Sequence, residues 1–436
     1  MRQNRFFRRG ALLCATVLVT SIPLHAQSVR KGIDVSAEGE VTTNPYLDDG
    51  SSDWVGAGSV EIRPWLVSQT ETDRIELEAF ARGRAFTSEY DFEDSFGGSL
   101  SASSRASTRT ALFGQASLMS TSARSNFARF NRPGFGTVFG FEPLTPTGPE
   151  VPFTNGDVGT VLAPPPGAGI GPIILPPLDD ITIVGLTGRS TSLGLTAGMS
   201  RQLDARSSLN ATVGYNRLWV SEDATSGYEN AVVSLGYSRA LSERTTAGIA
   251  LSAGRSRYDE GVIPGATTLT AAVNAQHRFD ENWSLNGSVG VSNTRSEARG
   301  IYPEVNDTGL VGSIAGCRTD AQSRLCLGFS RSQQPSTLGE VRTSDAINLS
   351  LSERLSARDR VELYANYGRS LGINDFAMTP EDIEIVAVGG TYSRTFSNRF
   401  EGFAFARASR SYGGFLSDEP SVSFGLGISA RFGDQR

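Results

Sequence analysis

The sequence predicts an all-β chain: a transmembrane antiparallel up-and-down β-barrel of about 18 strands, with 16 the next choice, and a long third outer loop. Three observations predict it. Apolar and small polar residues alternate with period two along most of the chain, a turn motif recurs at a near-constant interval, and no apolar run after the N-terminus is long enough to cross a bilayer as a helix.

The first element is an export signal. Arg2, Arg5, Arg8 and Arg9 form a basic stretch, Ala11 to Ile22 is apolar, and Leu24-His25-Ala26 ends on a small residue. The apolar stretch falls short of the roughly 20 residues a membrane helix needs, so residues 1–26 read as a cleaved signal peptide and 27–436 as an outer-membrane β-barrel of a Gram-negative cell. Hydrophobic residues make up 39% of the chain and the mean hydropathy is -0.20, which excludes a helical membrane protein. Without the four N-terminal arginines the formal charge goes from -6 to -10, and such a chain is a poor partner for nucleic acid.

The strands follow from the alternation. In Trp283 to Thr294, Trp283, Leu285, Val289 and Val291 share one face while Ser284, Asn286, Ser288 and Ser292 share the other. Near the C-terminus Val422, Phe424, Leu426, Ile428, Ala430 and Phe432 alternate with Ser421, Ser423, Gly425, Gly427, Ser429 and Arg431. Leu193–Ser200, Leu209–Asn216, Ala231–Ser238, Ala247–Ser256, Leu269–Gln276, Ile347–Ser352 and Val361–Gly368 behave alike. The polar face is Ser, Thr, Gly and Asn rather than the Lys and Glu of a water-facing sheet. That chemistry suits a barrel whose apolar side chains meet lipid and whose small polar ones line a wet lumen.

The turns follow from an internal repeat. SRQLDAR from Ser200, SRALSER from Ser238, QHRFDEN from Gln276, SERLSAR from Ser352 and SRTFSNR from Ser393 place an apolar residue at Leu203, Leu241, Phe279, Leu355 and Phe396. The intervals are 38, 38, 76 and 41, so one period is one hairpin and the absent member falls near Cys317. Earlier turns at Ser68–Asp73 and Arg105–Arg109 bring the inner turns to eight. These turns are rich in arginine (Arg201, Arg206, Arg239, Arg244, Arg354, Arg358, Arg394, Arg399), whereas the outer loops are acidic and aromatic, as in Tyr90-Asp91-Phe92-Glu93-Asp94, Ser221-Glu222-Asp223, Tyr258-Asp259-Glu260 and Ser417-Asp418-Glu419. One connection breaks the period: residues 121–180 are rich in Pro and Gly and read as an irregular loop inserted between barrel strands.

Catalytic and metal chemistry find little support. A barrel phospholipase or protease needs a histidine at the lipid-facing rim or the outer mouth, but the sole histidine after residue 26, His277, sits in an inner-turn motif. The glycines of Gly167-Ala168-Gly169-Ile170-Gly171 lie among prolines with no lysine after them, so they do not form a phosphate-cradling loop. One histidine and two distant cysteines cannot make a zinc site. We expect no enzyme, no cofactor and no metal.

The stretch Val35-Ser36-Ala37-Glu38-Gly39-Glu40-Val41-Thr42-Thr43-Asn44-Pro45-Tyr46-Leu47 resembles the start of β-barrel porins found beside exopolysaccharide-synthesis genes in proteobacteria. The resemblance covers the opening hairpin and the general repeat. It implies a non-enzymatic barrel serving as a solute channel or a polysaccharide-export conduit, with polysaccharide-export components as partners. The rival expectation is a closed structural or adhesion barrel with a plugged lumen. Outer-membrane lipid, lipopolysaccharide and the barrel-assembly machinery are the other expected partners, the last because the final strand is amphipathic and carries Phe432 near its end.

Three sets of residues are candidates for a role. Arg74, Glu76, Glu78, Arg82 and Arg84 share a face opposite Ile75, Leu77, Ala79 and Ala81 and should point into the lumen, as a transverse field or as a salt-bridged wall. Cys317 and Cys326 flank a turn symmetrically, and parity puts both on the lumen side, where an oxidising compartment favours a disulfide. The long loop should pack into or across the lumen over Pro133–Asp180, with Glu142, Glu150, Asp157, Asp179 and Asp180 as its charged contacts; the alternative is a surface loop or interaction arm.

Overall fold

Each alternating stretch becomes one strand of a continuous antiparallel ladder in the computed structural model, and eighteen strands close on themselves. The structure describes residues 28–45, 53–87, 90, 92–122, 188–221, 227–259, 263–298, 304–336, 340–372, 382–413 and 419–434. In order the strands are β1 (Ser28–Thr43), β2 (Trp54–Gln69), β3 (Asp73–Phe86), β4 (Glu93–Ser107), β5 (Thr110–Ser122) and β6 (Arg189–Gln202). Then come β7 (Ser207–Val220), β8 (Tyr228–Ala240), β9 (Thr245–Tyr258), β10 (Ala266–Arg278), β11 (Trp283–Ser296) and β12 (Val305–Thr319). The last six are β13 (Ser323–Pro335), β14 (Val341–Arg354), β15 (Asp359–Gly372), β16 (Asp382–Ser397), β17 (Phe400–Tyr412) and β18 (Ser421–Gly433).

Every strand pairs with its neighbours in sequence, and β1 closes the ring on β18 from Gly32↔Gly433 to Thr42↔Ser423. Closure removes both sheet edges, so every strand has a partner on each side. There is no helix among the described residues.

Eight connections of two to four residues gather at one end, with the start of β1 and the finish of β18; the longer connections gather at the other. The repeated motif explains the tight turns. The amides of Leu203, Leu241, Phe279 and Leu355 each donate to the carbonyl four residues on, at 2.9, 2.9, 3.0 and 3.0 Å. The next side chain then caps the turn. Asp204 accepts from the Arg206 and Ser207 amides at 2.7 and 2.8 Å, and Asp280 from the Asn282 and Trp283 amides at 2.8 and 2.7 Å. Ser356 does the same for Arg358 and Asp359, at 3.1 Å each. These are the short-side-chain turns that Asp and Ser favour. Donation from the Arg206 amide to Asp204, and from the Trp283 amide to Asp280, holds both carboxyls below the usual range.

Register and pleat sort the side chains onto two faces. Leu310 and Leu426 are 64% and 70% exposed on the outer wall, whereas Ser292, Thr294 and Ser411 on the inner wall are at most 1% exposed. The barrel is therefore apolar outside and polar inside. Some inward positions depart from this: Val55, Ala57, Trp65 and Val67 on β2, Leu218 on β7 and Ile383, Ile385 and Ala387 on β16 are apolar and buried, the Trp65 ring lying over Gly32 where a Cβ would come within 2.6 Å of it.

Several boundaries differ from the sequence reading. Strands run 13 to 16 residues, longer than their alternating cores, because polar residues at both ends stay in the ladder. His277 belongs to β10 rather than to the turn, paired with Thr245 of β9. Glu93 and Asp94 open β4 instead of closing a loop. Thr121 and Ser122 finish β5, so the long connection starts after them.

Candidate functional site: the barrel lumen

Two neighbouring arcs of the inner wall differ chemically. Backbone pairing fixes the first: Glu61 lies opposite Arg82 and Ser59 opposite Arg84 on β2–β3, and Arg84 lies opposite Glu93 on β3–β4. The structure places Arg74, Glu76, Glu78, Arg82 and Arg84 on the inward face of β3, each with an oppositely charged neighbour. Arg82 bonds Glu38 and also donates to Ser59 at 3.2 Å; Ser59 donates to the same Glu38 oxygen at 2.9 Å. Arg84 bonds Glu40 and sits 3.6 Å from Glu93. Arg63 holds Glu61 at 2.5 Å and Glu78 at 3.4 Å, while Arg74 bonds Glu76. Across the closing seam Arg431 donates to Asp34 at 3.0 Å. Of the two sequence readings for these side chains, the geometry is that of a salt-bridged wall.

The second arc carries no such charges. From β5 to β9 no Asp, Glu, Lys or Arg faces inward among the described residues. Hydroxyls and amides pair across strands instead, Ser208 with Ser238 at 2.7 Å and Ser256 with Asn230 at 3.2 Å, and the pattern runs on into β10–β12 with Thr270 and Ser292 at 3.0 Å and Ser288 and Ser313 at 3.1 Å. Such pairs satisfy buried hydroxyls without charge and leave lone pairs free for water or solute. Inner-wall aromatics lie flat on their neighbours: Phe403 covers Gly427 and Phe405 covers Gly425, with the two rings stacked at 6.5 Å and Arg407 4.1 Å above Phe405. A glycine is required at both positions, since a Cβ would collide with the ring.

At the loop end, Arg342 is buried against Glu340 at 2.5 Å and donates to the Ser370 hydroxyl and carbonyl at 2.9 and 3.0 Å. Burial pushes the Glu340 carboxyl up, against the pull of Arg342.

Cys317 lies directly opposite Cys326 in the β12–β13 ladder, facing inward, with Cα atoms 4.2 Å and sulfurs 2.14 Å apart. Glu142, Glu150, Asp157, Asp179 and Asp180, with the rest of Pro133–Asp180, lie outside the described residues. His277 points outward: its Nδ1 is 2.9 Å from the Thr245 hydroxyl and its ring meets Phe279 edge-on at 4.7 Å. No group of three metal-binding side chains occurs among the described residues.

The partners of the β3 charges, Glu38, Glu40, Glu61, Arg63 and Glu93, are not among the residues that sequence parity singles out. The signal was present: Glu38 and Glu40 alternate with Ala37, Gly39 and Val41 just as the β3 charges do with their apolar neighbours. What the sequence lacks is the register that joins residues 44 apart.

No family model matches the chain, and no curated protein matches it. Solved outer-membrane barrels align along almost its whole length. OprD of Pseudomonas aeruginosa is 11% identical, over 94% of this chain and 98% of that one, with a TM-score of 0.41. OccK2 of the same organism is 10% identical over 93% and 98%, at 0.46, and a BenF-like porin of Pseudomonas fluorescens Pf-5 is 8% identical over 94% and 100%, at 0.44.

Proposed function

We propose that the protein is an outer-membrane channel through which small polar solutes diffuse passively, without catalysis. The observation that carries this reading is the two-faced closed wall: apolar outside, and inside an ion-paired arc followed by an uncharged arc of hydroxyls and amides with Leu218, Tyr228 and Tyr258 among them. An apolar outer face of this extent needs lipid around it, and polar side chains turned inward need water. On the β1–β4 arc the charges are paired with one another and the β5–β9 arc carries none, so this part of the lining favours neutral, hydrogen-bonding solutes over ions. A polysaccharide conduit is the narrower form of the same proposal; the hydroxyl and amide arc suits a glycan, and the opening-strand resemblance points the same way.

The purified barrel should open discrete conductance steps in a planar bilayer. Arg82→Glu sets a third carboxylate beside Glu38 and Glu61, so reversal potentials should move towards cation selectivity. A silent bilayer with correctly folded protein supports the rival structural barrel. Conductance without a shift in Arg82→Glu removes this wall from the path.

A further inference from the structure

The outer wall changes character near the loop end. On β9 the outward residues run Ala247, Ile249, Leu251, Ala253 and then Arg255 and Arg257; on β11 they run Leu285, Val289, Val291, Asn293 and then Arg295. The apolar band thus ends at one level, and arginines begin immediately above it. Register brings them together: Thr267 of β10 is paired with Arg255 on one side and with Arg295 on the other. The two arginines therefore stand two strand spacings apart, about 10 Å. Arg257 follows Arg255 on the same face, and Arg217 stands beyond it on β7, its guanidinium 5.0 Å over the exposed Trp219 ring.

Two carboxylates of this rim are already engaged, while Glu297, two residues beyond Arg295, is exposed and makes no ion pair among the described residues. Arg217 takes Asp259 at 3.1 Å and Glu229 at 3.6 Å, and Arg257 shares Glu229 at 3.7 Å. Arg255 and Arg295 make no ion pair among the described residues, although both are exposed. Further round the loop-end rim, on β13–β16, the arrangement is different. There Arg331 faces Asp345 at 3.6 Å, and Arg369 is held by Asp382 at 2.6 Å and Glu384 at 3.1 Å. One side of the loop-end rim is thus neutralised by its own acids, while the β7–β11 side carries four arginines (Arg217, Arg255, Arg257, Arg295) against three carboxylates (Glu229, Asp259, Glu297) among the described residues.

We infer that the outward face of Arg255, Arg257 and Arg295 is a docking site for the phosphate groups of lipopolysaccharide. The position decides the class of ligand: guanidinium groups one step above an apolar band meet the headgroups of whatever lipid covers that band. Short turns face the periplasm and longer loops the exterior, so the leaflet at this level is the outer one. Arginine binds phosphate through paired, charge-assisted hydrogen bonds, and Trp219 supplies an amphipathic edge at the same depth. The inference rests on the outer-membrane reading above.

Native mass spectrometry of the folded barrel in detergent, with bisphosphorylated lipid A as the probe, tests it. Arg255→Gln/Arg257→Gln/Arg295→Gln should weaken binding on the order of ten-fold or more, and Arg331→Gln/Arg369→Gln should leave it unchanged. Equal losses in both variants, or none in the first, overturn the site. Phosphatidylglycerol bound as tightly as lipid A overturns the assignment to lipopolysaccharide. Heat-modifiable migration reports folding of each variant. A folded barrel that fails to conduct but keeps arginine-dependent lipid A binding sinks the channel reading and leaves this site standing.

Discussion

At the scale of the residue, what matters on the inner wall is whether a charge has its partner. The Arg84 side chain is 14% exposed and that of Glu40 only 6%, with Glu93 on the other side of the guanidinium. Removing one member of such a group costs more than the pair contributes, because the remaining charge stays buried without compensation. Arg84→Met strands both carboxylates and should destabilise the barrel by about 3 kcal/mol. The urea midpoint of unfolding in micelles measures this. Arg84→Met/Glu40→Gln should recover part of the loss, and no difference between single and double variant would show that the pair is not coupled. The tight turns are settled at the same scale, by the Asp or Ser that follows the apolar residue of each motif. In the sequence that residue looks like a solvated loop position. Its role appears only when the amides two and three residues on are seen to donate to it.

At the scale of the element, the hairpin is the unit, and β12–β13 shows how its register is held. A shift of one residue would turn Ile314, Leu325 and Leu327 into the lumen and the small polar residues towards lipid. The facing cysteines add a covalent constraint near the turn. Their sequence separation is only 9, in a hairpin already held by its ladder, so on a chain-entropy view the bond contributes at most about 3 kcal/mol. Its main effect is to fix the register. Unreduced, denatured protein should therefore present no alkylatable thiol, and Cys317→Ser/Cys326→Ser should still fold to a closed barrel with a modestly lowered urea midpoint. Two reactive thiols before reduction would count against the bond.

At the scale of the whole molecule, the two ends differ, and that difference sets orientation. A tag inserted after Ala205, in the turn between β6 and β7, should be hidden from antibody on intact cells. A tag after Asp223, in the connection between β7 and β8, should be reachable. Surface labelling at Ala205 would reverse the topology and with it the leaflet assigned to Arg255 and Arg295.

By itself the sequence pointed to about 18 strands, with 16 the next choice, to eight tight turns and, within each recognised strand, to the face a side chain takes. Period-two alternation and a 38-residue repeat are local signals, and a side chain's face follows from parity alone, as with Arg74 to Arg84 on β3 and Cys317 with Cys326. It assigned His277 to a turn, whereas the ladder takes it into β10 opposite Thr245. Only the tertiary structure decided which residues meet. Glu38 and Arg82 pair because β1, β2 and β3 are zipped in one register; Asp34 meets Arg431 because β1 closes on β18; and Arg255 and Arg295 share Thr267 as a neighbour. Such contacts depend on the offset between strands. A hairpin of given length allows several offsets, and packing of the whole ring selects one of them.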